Sequence, residues 1–128
     1  MSELKILLID DDPSVNFLNK LIIEKSTISA KVEEQTEADL ALAELQNGNT
    51  DPDLILLDIN MPSMSGWQFA ESYEKLPINV RKSKVVILSS SINPTDKERA
   101  ERSSIISGFF SKPLTIESVQ EINQLMNN

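Results

Sequence analysis

Two rhythms alternate along the chain: short unbroken apolar runs, and longer stretches where apolar residues return every three or four positions. The runs Leu4–Ile9, Leu54–Leu57 and Lys84–Leu88 lack the every-other-residue polarity of a half-exposed strand, so they predict strands buried on both faces, the mark of a parallel sheet. Residues Ala30–Gln35 have only Val32 as a strong apolar member and predict an edge strand, where charge is tolerated. Gly108–Ser111 predicts a short fifth strand. Between these, Val15, Leu18, Leu21 and Ile22 space as a helix, with Asp12 as N-cap and Pro13 in its first turn. Ala38, Ala41, Leu42 and Leu45 space as a second helix, closed by Asn47-Gly48. Trp67, Phe69, Ala70, Tyr73 and Leu76 make a third, stopped by Pro77. Pro94 starts a fourth over Thr95–Ser103, whose one apolar member is Ala100, so its anchorage is predicted to be the weakest. A fifth, from Thr115, carries Ile116, Val119, Ile122, Leu125 and Met126.

Strands alternating with helices over short loops predict an α/β fold with right-handed crossovers and a parallel sheet covered on both faces. A length of 128 residues fits one domain, residues 1–128, with no output domain expected after the last helix. Composition narrows the chemistry. With no cysteine and no histidine, the chain has no disulfides, thiolate zinc sites or histidine triads, and carries no phosphohistidine itself. A net charge of −8 argues against binding nucleic acid or anionic membranes through bulk charge. No signal peptide or membrane span is read in the sequence, so the expected location is cytoplasmic.

The candidate chemistry lies where the apolar runs stop. The first strand ends at Asp10 and Asp11, the third at Asp58, the fourth at Ser89 in the run Ser89-Ser90-Ser91, and the fifth at Lys112. Open α/β sheets bind ligands outside the carboxyl ends of their strands, so these residues should meet in one crevice. Singly each has an ordinary explanation: an aspartate after a strand most often caps a helix, and a serine or a lysine before proline is common turn chemistry. The coincidence at successive strand ends is more specific than any member. Three clustered carboxylates repel one another unless a cation neutralises them, and oxygen-only donors suit Mg²⁺, with Mn²⁺ able to substitute. A lysine and a small hydroxyl beside that ion could hold phosphoryl oxygens, which points to phosphoryl transfer onto Asp58.

The runs Ile6–Pro13, Leu54–Gly66, Val85–Ser89 and Gly108–Leu114 together resemble the receiver domain of two-component response regulators, over the whole chain. The resemblance implies a flavodoxin-like (βα)5 fold with strand order 2-1-3-4-5. It also implies roles: Asp58 as phosphoacceptor, Asp10 and Asp11 as the acidic pair for Mg²⁺, and the main-chain carbonyl of Asn60 as a further ligand. Ser89 matches the switch hydroxyl, Phe109 the switch aromatic and Lys112 the phosphate-binding lysine, with a Lys112-Pro113 bond that is often cis in the family. Small departures are Ser89 where threonine is also common, Ser65 where aspartate is frequent, and Phe109 where tyrosine is frequent.

The function expected from this resemblance is that of a stand-alone receiver rather than an enzyme. A histidine kinase or histidine phosphotransfer protein would phosphorylate Asp58. A downstream protein would read the face made by the fourth helix, fifth strand and fifth helix. The alternative is a phosphorelay intermediate that returns the phosphoryl group to another histidine protein. A small-molecule phosphatase with an aspartate nucleophile fits less well, because Asn60 stands where its general acid would be needed.

Overall fold

The computed structural model describes residues 3–90 and 93–127; Ser91, named above in the serine run, lies outside them. Strands β1 (Leu4–Ile9), β2 (Ala30–Gln35), β3 (Leu54–Asp58), β4 (Lys84–Ser89) and β5 (Ile106–Ser111) alternate with helices α1 (Pro13–Lys25), α2 (Ala38–Asn47), α3 (Gly66–Glu74), α4 (Pro94–Arg102) and α5 (Ile116–Asn127). All strand pairs are parallel, in the order β2-β1-β3-β4-β5. The flavodoxin-like order expected from the resemblance is therefore the observed one. β2 lies at the edge, as its charged sequence predicted.

Side chains alternate across the three central strands, and each face builds its own core. Leu7, Ile9, Ile55, Leu57, Val85 and Ile87 pack with Ala38, Ala41 and Leu45 of α2, Phe69, Ala70 and Tyr73 of α3, and Ala100 of α4. Ile6, Leu8, Leu54, Leu56, Val86 and Leu88 pack with Ile23 of α1 and Val119 and Ile122 of α5. β3 is buried along its whole length, which explains its lack of alternation.

Three sequence expectations are corrected. α3 ends at Glu74, before Leu76, and a 3₁₀ turn at Ile78–Val80 follows Pro77. β5 begins two residues earlier than expected, at Ile106, across a register irregularity opposite Val85 and Val86. α1 departs from the apolar spacing at Leu18, which is exposed, and its buried residues are Asn16, Asn19 and Ile23. Of the residues whose spacing predicted the helix, Ile22 packs against the core, while Leu18 faces solvent.

Register positions the site. Ile9 of β1 pairs with Leu57 of β3, and Asp58 with Leu88 of β4, so Asp10 stands level with Asp58 at the end of the sheet. Ser89 pairs with Ser111, and the Lys112 N–H donates to the Ser89 carbonyl at 2.7 Å. Four strands thus stop within about one residue of a common line, which brings Asp10, Asp58, Ser89 and Lys112 to one edge of the sheet.

Candidate functional site

The sheet edge brings together what the sequence scattered over a hundred positions. One carboxylate oxygen from each of Asp10, Asp11 and Asp58 lies within 4.8 Å of the others. Asp10 and Asp58 are buried and Asp11 is exposed. The Lys112 ammonium sits between the two buried carboxylates, 2.6 Å from Asp10 Oδ2 and 2.9 Å from Asp58 Oδ1. Ser89, at the end of β4, is buried and makes a polar contact. Asn60 is exposed just past Asp58, and an open depression of about 360 Å³ runs beside it, lined by Asp11, Ile59, Asn60, Met61, Pro62 and Ser65. Phe109 is half-buried against the α2–α3–α4 core, next to a hollow of about 80 Å³ between α4 and β5. The Lys112-Pro113 bond is cis, as the resemblance implied.

Local structure fixes each part. Asp12 caps α1 by accepting the Ser14 N–H at 2.9 Å and the Ser14 hydroxyl at 2.6 Å. These bonds hold its carboxyl below the ordinary value, so Asp12 is engaged in capping beside the cluster. The Asp12 N–H in turn donates to Asp10 Oδ1 at 3.0 Å. After β3 the chain closes a compact loop: the Gly66 N–H donates to the Ile59 carbonyl at 2.8 Å. Ser65 and Gln68 then form a reciprocal capping box that starts α3. A serine at 65 caps as well as the aspartate frequent there.

Gly66 was visible in the sequence only as a loop glycine, but the structure requires it. A Cβ at Gly66 would lie 2.8 Å from the Asp58 carbonyl oxygen and 2.9 Å from Ile59 Cα. The first turn of α3 therefore presses directly on the backbone that carries Asp58. Sequence reading also missed Asn16, whose side-chain amide donates to the Asp10 carbonyl at 3.1 Å. The available signal was Ile23, which lies two helical turns from Asn16 and four residues from Asn19, on the same face.

Electrostatics follow from the count of charges. Burial pushes the Asp58 carboxyl above its ordinary value, and the Asp10 charge adds to that push; the Lys112 bond and charge and the Asn60 N–H pull the other way without prevailing. Burial alone would lower Lys112, but its bonds to Asp10 and Asp58 and the charges of both outweigh that and raise it. Both values move upward, Asp58 because burial prevails and Lys112 because its partners do. One ammonium gains from two carboxylates, whereas each carboxylate must share one ammonium. With Asp11 added, three carboxylates face a single cation among the described residues. An all-oxygen, net-negative cluster open to solvent on one side fits a hard divalent ion that keeps part of its water.

The family model for the response regulator receiver domain matches residues 6–124. The chain belongs to that family. It is 31% identical over 120 residues to the probable C4-dicarboxylate response regulator of Halalkalibacterium halodurans, covering 91% of this chain and 48% of that protein. It is 33% identical over 96 residues to the gliding motility regulatory protein of Myxococcus xanthus, covering 75% of this chain and 12% of that protein. The receiver therefore spans about half or less of these curated relatives. Among solved structures, a two-component response regulator from Cytophaga hutchinsonii superposes with a TM-score of 0.87 at 34% identity, covering 99% of this chain and 100% of that one. A response regulator receiver protein from Dyadobacter fermentans gives 0.85 at 29% identity, covering 97% and 98%. Among the described residues of this receiver, no helix is long and apolar enough to cross a membrane.

Proposed function

We propose that this receiver accepts a phosphoryl group on Asp58 from a histidine kinase or histidine phosphotransfer protein and signals by phosphorylation-dependent protein binding. The observation that carries the reading is Lys112 bridging Asp10 and Asp58 inside a three-aspartate cluster. A carboxylate oxygen of Asp58 bonds to phosphorus as the bond from phosphorus to the donor imidazole nitrogen breaks, and the electron pair leaves with the imidazole. Asp10, Asp11, Asp58 and the Asn60 carbonyl would hold Mg²⁺, or Mn²⁺ in its place. Bound there, the ion supplies positive charge to the phosphoryl oxygens. Lys112 orients Asp58 before transfer and then holds a phosphoryl oxygen, and the Ser89 hydroxyl donates to another.

Output follows from the same geometry. The aspartyl phosphate brings roughly two negative charges to the end of β3. Ser89 moves toward them, and Phe109 turns into the hollow between α4 and β5. The face formed by α4, β5 and α5 changes shape and is read by a protein partner. The test supplies radiolabelled phosphoryl groups on a histidine phosphotransfer protein, with Mg²⁺ or with chelator. Label should pass to this chain only with Mg²⁺ and be lost in Asp58→Asn. Label that then returns to a second histidine protein would make the chain a relay intermediate. Failure to take label from any histidine donor would refute the reading.

A further inference from the structure

The least expected feature of α1 is an amide at the centre of its buried face. Asn16 is 1% exposed, and its Oδ1 is buried without a hydrogen-bond partner among the described residues. Such burial disfavours the fold, and a leucine of similar size would suit an apolar helix face better. The two bonds made by its Nδ2 show what the amide accomplishes. It donates at 3.1 Å to the carbonyl of Asp10 and at 3.3 Å to the carbonyl of Gln35, tying together the ends of neighbouring strands β1 and β2. The Asp10 N–H already donates to that same Gln35 carbonyl at 3.2 Å. The backbone of Asp10 is therefore held on both sides of its Cα, by its own N–H and by Asn16 at its carbonyl. Gln35 is itself fixed: its side chain accepts from the Thr36 and Glu37 N–H groups and donates to Glu44.

The consequence passes to the site through Asp10. With its backbone fixed, the Asp10 carboxylate is aimed by the Asp12 N–H on one oxygen and by Lys112 on the other. Lys112 also holds Asp58. We propose that Asn16 is a positioning residue of the phosphoryl-transfer site, setting the place of the Asp10 carboxylate and, through Lys112, the orientation of Asp58. This rests on the function proposed above, with the buried amide as its own observation. Residues that orient metal ligands without touching the metal typically change affinity by about 10–100-fold when replaced.

The test compares wild type with Asn16→Leu and Asn16→Ala, using Asn19→Leu, a second buried asparagine on the same helix, as control. Two quantities are read on each protein: the melting temperature without metal, and the Mg²⁺ dissociation constant by calorimetry. Asn16→Leu should melt at or above the wild-type temperature yet bind Mg²⁺ about 10-fold more weakly. Asn16→Ala should weaken Mg²⁺ binding similarly despite lower stability, and serves if the leucine variant does not fold. Asn19→Leu should leave Mg²⁺ binding unchanged. A purely structural role would move melting temperature and leave the dissociation constant of the folded protein alone. Equal Mg²⁺ affinity in wild type and both Asn16 variants, or equal weakening in Asn19→Leu, would overturn the assignment. Wild type that binds no Mg²⁺ would instead overturn the underlying function, and this assignment with it.

Discussion

Replacing Gly66 with alanine tests how tightly α3 is built onto the phosphoacceptor strand. The new methyl would sit 2.8 Å from the Asp58 carbonyl oxygen and 2.9 Å from Ile59 Cα. Comfortable carbon contacts lie at about 3.5–4.0 Å, so the shortfall is roughly 0.6–1 Å against atoms that cannot rotate away. Overpacking of this kind costs about 1–3 kcal/mol, and the upper half of that range applies because both neighbours are main chain. For a chain of this length, each kcal/mol lowers the melting temperature by about 3–5 °C, giving a loss of roughly 6–15 °C. Relief requires the Asp58–Asn60 backbone to move, so Mg²⁺ binding should weaken as well. Two other glycines calibrate the result. At Gly48 the space is open but φ is +82°, so alanine is strained only by conformation, at about 1 kcal/mol, with no effect on the site. At Gly108 the methyl meets the flexible ends of Leu125 and Phe110 at 3.1 Å, which can give way. Thermal melts of the three variants, with Mg²⁺ titrations, should rank Gly66→Ala as the most damaging in both. A Gly66→Ala protein that melts within about 1 °C of wild type would refute the close-packing argument.

Further outcomes follow from the charges and from α4. Lys112→Met strands two buried carboxylates and should destabilise the metal-free protein by about 3–5 kcal/mol in urea unfolding, with part recovered in Mg²⁺; an unchanged midpoint would count against the bridge. Burial raises the Asp58 carboxyl above its ordinary 3.8, so the folded state holds that proton more tightly than the unfolded chain does. Its stabilising contribution is therefore full below pH 3.8 and is lost as pH rises through the folded value. Metal-free Asp58→Asn should consequently gain stability relative to wild type across that rise, and a pH-independent difference between their melting temperatures would contradict the assigned direction. Arg99→Ala removes a guanidinium 4.5 Å from the Trp67 ring and a 4.0 Å contact to Glu71, an exposed pair. The loss should be at most about 1 kcal/mol, with a changed tryptophan emission and faster amide exchange in α4. In the wild type, α4 should already exchange faster than α1 and α5, since Ala100 is its sole buried residue; slower exchange there would oppose the reading.

What the sequence made legible was decided by burial on two sides. β3 and β4 are enclosed by helices on both faces, so their unbroken apolar runs announced both their positions and the polar residues at their ends. The edge strand β2 and the helix α4 were legible for the opposite reason, as their charge shows how little of each is buried. α1 was only partly legible: Ile22 packs against the core as its spacing suggested, but Leu18 is exposed while buried Asn16 and Asn19 resemble a solvated face. The pressure of Gly66 on the Asp58 carbonyl and the tie of Asn16 across two strand ends join residues through the third dimension. No local pattern encodes such contacts. The gathering of Asp10, Asp11, Asp58 and Lys112 was legible because a parallel sheet places its carboxyl ends along one edge.

The most direct measurement of the central claim is the intact mass of wild type and Asp58→Asn after incubation with Mg²⁺ and a small acyl-phosphate donor. Wild type should gain the mass of one phosphoryl group, lose it on treatment with hydroxylamine as an acyl phosphate does, and gain nothing in the presence of chelator. Asp58→Asn should gain nothing under any condition. A wild type that remains unmodified, or an equal gain in both proteins, would contradict Asp58 as the phosphoacceptor.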